Sequence, residues 1–229
     1  MSTRSRQLFL MAMMLSSALG TALLIMRWFW VGHIAYHFLV WNLLLAWIPF
    51  GIAVLAQGWL KRGESTVVAG WLALGAWLVF FPNAPYILTD LIHFKRALGF
   101  MWWYDLILVL AFAATGLMLG LASLKMVHKA VATYAGEVRG WQFALISCML
   151  CGFGIYLGRF ERFNTWDVLV NPMTLALDIG SRFLNPLDHL RTWGVTLSFG
   201  CLMVAMYVAL HAMSQQEPAL IPVKQEAEL

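Results

Sequence analysis

The sequence predicts an all-α fold, a polytopic transmembrane helical bundle with about six spans and short interfacial helices. Three observations carry this prediction. First, only 11% of the residues are charged and 62% are hydrophobic, against about 25% and 45–50% in soluble domains. With a mean hydropathy of +0.76, so few charges cannot cover a surface facing water. Second, the apolar residues fall in continuous runs near the roughly 20 residues a helix needs to cross the hydrocarbon at 1.5 Å per residue. Continuous runs argue against the alternation of a transmembrane barrel. Third, many of the twelve tryptophans stand at the ends of these runs, including Trp28, Trp30, Trp41, Trp59, Trp102, Trp103, Trp166 and Trp193. An amphipathic indole is favoured at headgroup depth, so these anchor span ends.

The first span is read at residues 8–26, flanked by Arg4, Arg6 and Arg27 and lacking a small-residue cleavage signal. The second, 38–58, contains Asn42 and Pro49, and the proline should kink it. The third, 66–81, stops at FPNAPYILTDLIHF, residues 81–94. The fourth, fifth and sixth are read at 106–124, 141–157 and 193–213. Residues 28–37 either lie at the interface or extend the second span. Residues 159–192 read as interfacial helices and turns. Residues 1–213 thus form one integral membrane domain, and 214–229 a polar, flexible tail. Gly116 and Gly120, and Gly154 and Gly158, have the GxxxG spacing that lets helices approach closely, here read as internal packing. Cys148 and Cys151 lack the context of a redox or zinc motif and read as small packing residues.

An even number of spans places both termini on one side. The fifteen Lys and Arg residues divide almost evenly between the two sides. The compact pairs Arg4–Arg6 and Lys61–Arg62 favour cytoplasmic termini. On so apolar a chain, the formal charge of +4 points to anionic headgroups and topology, and no nucleic acid is expected.

The polar residues collect on the side opposite the termini. In FPNAPYILTDLIHF two prolines break the helix; Asn83 is expected to cap, and Pro85 to occupy the first turn of a short helix from Tyr86 to Phe94. On that helix Asp90 and His93 share a face. A carboxylate beside an imidazole can orient a tautomer, relay a proton or bind a metal; it can also simply tie a helix tip to a loop. Tyr104 and Asp105 open the fourth span, where an acid suits the helix dipole. In GRFERFNTWDVLVNP, Arg159 and Arg162 can clamp a phosphate or carboxylate, or pair internally with Asp90, Asp105 or Asp167. Asn164 and Asp167 share a helical face, as do Asp167 and Asn171. The candidate acid–base residues are therefore Asp90, His93, Asp105 and Asp167. The candidate substrate-binding residues are Asn83, Tyr104, Arg159, Arg162 and Asn164. Asn171-Pro172 and Asn185-Pro186 read as helix starts, with Asp188 at the reciprocal capping position. His33 and His37 share a face without a third ligand nearby, so no metal site is assigned, and no cofactor is named.

Four stretches in order, WNLLLAWIPF (41–50), FPNAPYILTDLIHF (81–94), WYDLILVLAFAATGLMLG (103–120) and GIYLGRFERFNTWDVLVNP (154–172), resemble the bacterial domain of unknown function 1361 family. The resemblance covers most of the chain between residues 38 and 210. It implies a multi-pass protein of the bacterial cytoplasmic (inner) membrane and supplies no reaction, substrate or catalytic residue. The functional expectations are an anionic-lipid or lipid-linked substrate site at the extracytoplasmic rim, a small-solute transporter or channel, or a nonenzymatic assembly or envelope factor. Membrane lipids are the expected partners; protein partners and oligomeric state stay open.

Overall fold

The computed structural model describes residues 3–32, 35–61, 64–96 and 101–215, without the side chains of 3–5, 61, 64–65 and 93–96. The chain runs through α1 (Thr3–Val31), α2 (Phe38–Lys61), α3 (Glu64–Phe80), the one-turn α4 (Asn83–Tyr86), a 3-10 segment (Ile87–Arg96), α5 (Trp102–Ala135) and α6 (Glu137–Arg159). It continues through α7 (Asp167–Val170), α8 (Pro172–Leu184), a 3-10 turn (Pro186–His189) and α9 (Leu190–Met213). Among the described residues every regular element is helical, and six helical stretches are long and apolar enough to cross a membrane. The protein is a polytopic helical bundle.

Helix α5 is its axis, packed by α1, α2, α4, α6 and α9. Its first half shares a core with α1 and α2 that includes Leu24, Leu43, Phe50, Leu108 and Phe112. Its second half shares another with α2, α3, α6 and α9, including Trp77, Leu121, Cys148, Ile155 and Tyr207. Lipid tails are as apolar as these side chains, so close packing, and not transfer from water, holds the helices together.

Both GxxxG pairs meet the same object. Gly116 and Gly120 of α5 lie against Ala84, Pro85 and Ile87, while Gly154 and Gly158 of α6 lie against Pro82 and Tyr86. The turn α4 is gripped between two glycine faces. A β-carbon at Gly154 would sit 2.5 Å from the Pro82 ring, and one at Gly116 would sit 2.6 Å from the Ala84 carbonyl oxygen.

Several boundaries differ from the sequence expectations. Residues 28–31 extend the first span, not the second, because α1 runs to Val31 before Gly32 turns the chain at φ 73°. Helix α2 continues through Pro49, and α5 reaches eleven residues past the expected 124. The break after the third span falls at Phe81-Pro82, as the prolines require. Asn83 does not cap α4, however. It is the first residue of that turn, and its amide donates backwards to the Phe80 carbonyl oxygen at 3.0 Å. That bond takes up one of the carbonyls left unpaired at the end of α3.

Asn171 and Asn185 do precede α8 and the 3-10 turn, each followed by proline, but neither side chain makes a capping bond. Helices α7 and α8 leave Leu169, Val170, Met173, Leu177 and Leu184 exposed at the end of the bundle away from the termini. Such an apolar face suits a helix that lies in the plane of a membrane interface. His33 and residues 216–229 lie outside the described residues.

Candidate functional site

The polar centre of the rim is built around Asp90. The 3-10 segment tucks it between α2 and α6, where it is 1% exposed. One carboxylate oxygen accepts Nη1 of Arg159 at 3.1 Å, and the other accepts Nδ2 of Asn42 at 2.7 Å. Arg159 stands in the last turn of α6, where the helix dipole favours a cation. Its Nη2 donates to the Thr89 carbonyl oxygen at 3.1 Å, and its Nη1 reaches the Tyr86 hydroxyl at 3.4 Å. Of the two roles open to Arg159 in the sequence, the geometry is that of the internal pair with Asp90. A buried carboxylate engaged through both oxygens avoids the cost of an unpaired charge. The backbone of His93 continues the same segment, one 3-10 turn beyond Asp90, but its side chain lies outside the described residues.

In front of this pair lies a cleft of about 210 Å³. Trp41, Asn42 and Leu45 of α2 form one wall. Pro82, Asn83 and Tyr86 from the proline break, with Gly154 and Gly158 of α6, form the floor. Phe163 to Trp166, Val168 and Leu175 close the outer side. Asn42 and Tyr86 separate the cleft from Asp90 and Arg159: each lines it and each bonds to the pair. Asn83 also donates to the Thr165 hydroxyl at 2.9 Å, tying the outer wall to the floor. The glycine faces that grip α4 are thus what bring this lining together.

Other expected residues are engaged elsewhere. Asp105 is fully buried and accepts Nε and Nη2 of Arg27 at 2.5 and 3.1 Å; the Tyr36 hydroxyl reaches it at 3.4 Å. The Tyr104 hydroxyl donates to the Leu23 carbonyl oxygen at 2.7 Å. Both residues therefore fasten α1 to α5 and do not join Asp90. Asp167 accepts the backbone N–H of Asn164 at 2.6 Å and the Asn171 amide at 3.3 Å, the bonding of a local turn at the cleft mouth. Arg162 is exposed at a φ of 62° and makes no ion pair among the described residues, so the two arginines form no clamp. Asn164 lines the cleft.

Three groups escaped the sequence reading. Asn42 looked like an isolated polar residue inside a span. His128 of α5 meets the Tyr207 hydroxyl of α9 at 2.5 Å beside Trp141 and His211, at the end near the termini. A third cluster holds α8 to α6: Arg182, 4% exposed, pairs with Glu161 at 2.9 Å and with Asp178, while the Tyr156 hydroxyl donates to Glu161 at 2.6 Å.

The Tyr156 hydrogen bond, followed by Arg182, holds the Glu161 carboxyl below the usual carboxylate range. A depressed pKa contributes stability that is present above the unfolded value and is lost as pH falls through the folded one. A nitroxide at position 177 of α8 should therefore gain mobility below about pH 4, the ordinary glutamate range. In Glu161→Gln it should be mobile at every pH. Equal immobility of both forms across the titration would refute the latch.

Six stretches long and apolar enough to span among the described residues, with a cleft beside the Asp90–Arg159 pair at the end away from the termini, define a multi-pass membrane protein with a rim cleft. The chain belongs to the family described as Protein of unknown function (DUF1361), whose model matches residues 41–206. That match begins at Trp41 in the cleft wall and includes Asp90 and Arg159. Comparison with curated proteins found no match, and comparison with solved structures found none.

Proposed function

We propose that this is a protein of the bacterial cytoplasmic membrane, with cytoplasmic termini, whose extracytoplasmic rim cleft receives a lipid or lipid-linked substrate. The observation that carries the reading is the cleft itself. It is a concave space with mostly apolar walls and a few convergent polar groups, the usual form of a small-molecule site. Its outer wall is made by α7 and α8, whose exposed leucines and valines suit the acyl region of a bilayer. An amphiphile can therefore enter from the lipid without crossing water. The arrangement supports binding more than proton transfer, because both oxygens of Asp90 already hold donors.

The test is photo-crosslinking in cells fed a diazirine fatty acid. Lipid adducts should map to residues 157–175 and fall at least fivefold in Val168→Trp, which fills the cleft, at equal membrane abundance. Adducts spread evenly over the lipid-facing helices, and insensitive to that substitution, would remove the reading.

A further inference from the structure

Resting on the lipid-cleft reading, we infer that the head group taken by the cleft is an uncharged sugar, the glycosyl head of a lipid. The inference comes from which hydrogen-bonding capacities remain unused. Asn83 spends both N–H groups of its amide on the protein, on Phe80 and Thr165, while Asn42 gives one to Asp90 and keeps the other. Their side-chain carbonyl oxygens have no partner among the described residues. Thr165 accepts from Asn83, and Tyr86 accepts from Arg159, so each hydroxyl keeps a proton to donate. The side-chain amide of Asn164 is unengaged among the described residues and supplies both a donor and an acceptor.

The lining therefore offers acceptors and donors together and no charged side chain. A phosphate or carboxylate is acceptor-only and would face the amide oxygens of Asn42 and Asn83 unfavourably. Arg159, behind the lining, is already engaged by Asp90, Thr89 and Tyr86, and Arg162, next to Phe163 in the chain, is exposed and does not line the cleft. An ammonium is donor-only and would leave the Tyr86 and Thr165 protons unused. A hydroxyl both donates and accepts, so a polyhydroxylated ring satisfies both sets at once.

Size and shape agree. The cleft, of about 210 Å³, has room for a single ring-sized head group. Trp41 and Trp166, 54% and 44% exposed, offer flat faces at the mouth. The negative face of an indole attracts the weakly positive C–H edge of such a ring.

The test uses the full chain in phosphatidylcholine nanodiscs. Four probes are compared: a monoglucosyl diacylglycerol, a phosphatidylglycerol and a plain diacylglycerol, each with a diazirine near the glycerol, and free methyl glucoside as competitor. The glucosyl lipid should label residues 157–175 about tenfold more than either other lipid, corresponding to one or two good hydrogen bonds. Asn164→Leu should reduce that preference about tenfold while the protein stays monodisperse, since the Asn164 side chain holds nothing else in place.

Equal labelling by all three lipids, abolished by Val168→Trp, would overturn the sugar inference and leave the lipid cleft standing. Strongest labelling by phosphatidylglycerol would overturn it in favour of an anionic head group. Competition by methyl glucoside at the same concentration as the glucosyl lipid would keep the sugar and remove the lipid. Labelling by none of them that responds to Val168→Trp would remove both.

Discussion

Asp105→Ala should destabilise the protein by about 3–5 kcal/mol, the cost of leaving a buried charge without its partner. The stranded group is Arg27, itself 1% exposed, with its guanidinium lying over the Tyr36 ring 4.9 Å from the centroid. Helix α1 makes the effect large. In its spanning window only 6% of residues are buried, so most of its surface faces outwards. Beyond the packing of Leu24 and its neighbours into the shared core, its ties to α5 are a short set of polar contacts: Arg27 to Asp105, Tyr104 to the Leu23 carbonyl, and Ser16 to Thr115 at 2.6 Å. Removing the strongest of these should release α1 before the rest of the bundle opens. Thermal unfolding in detergent, with hydrogen exchange of residues 17–31, checks both parts. The double variant Arg27→Met/Asp105→Leu should recover most of the loss, because an apolar pair of similar volume can replace a buried ion pair. Single and double variants of equal stability would show that the charge is not what fails.

Gly152→Ala should be the other severe substitution, costing about 3 kcal/mol, the upper end for overpacking. A β-carbon there would lie 2.3 Å from the Thr196 carbonyl oxygen and 2.8 Å from the Gly200 nitrogen. Both atoms are backbone of α9 and cannot swing aside as a side chain would. The α6 and α9 axes must separate, which loosens the packing of Met203 and Tyr207 against Cys148 as well. Gly75→Ala is the internal control. It is the same change inside α3, where no atom lies within 4 Å of the new carbon. It should be neutral or stabilise by about 0.5–1 kcal/mol through lost backbone freedom. Thermal unfolding of the two alanine variants side by side separates packing from helix propensity, and similar shifts in both would exclude the clash.

The spans were legible because hydropathy is a local property, and so was the break at residues 81–86, because proline lacks the N–H a helix needs. The position of the polar rim followed from counting spans. Which polar groups meet was not legible. Arg27 illustrates why. Cutting the first span at residue 26 left Arg27 outside as a topology signal, yet α1 continues to Val31 and carries it into the protein. An ionisable residue inside a span demands a partner, and that partner, Asp105, is 78 residues away. The partners Asn42 and Asp90, and Asp90 and Arg159, are 48 and 69 residues apart. No helical or strand period connects such separations. The GxxxG spacings were visible, but nothing in them indicated that both would close on one proline turn.

That shared grip has a consequence for biosynthesis. Residues 81–86 are made before either helix that holds them. The second glycine face, at Gly154 and Gly158, emerges about seventy residues later, on the order of ten seconds at about 5–20 residues per second. During that interval Asp90 has no Arg159 beside it, and the cleft lacks the α6 part of its floor and its outer wall. The site is therefore finished late in translation, and the ribosome's pace past residue 86 sets how long the Asp90 carboxylate waits without its cation.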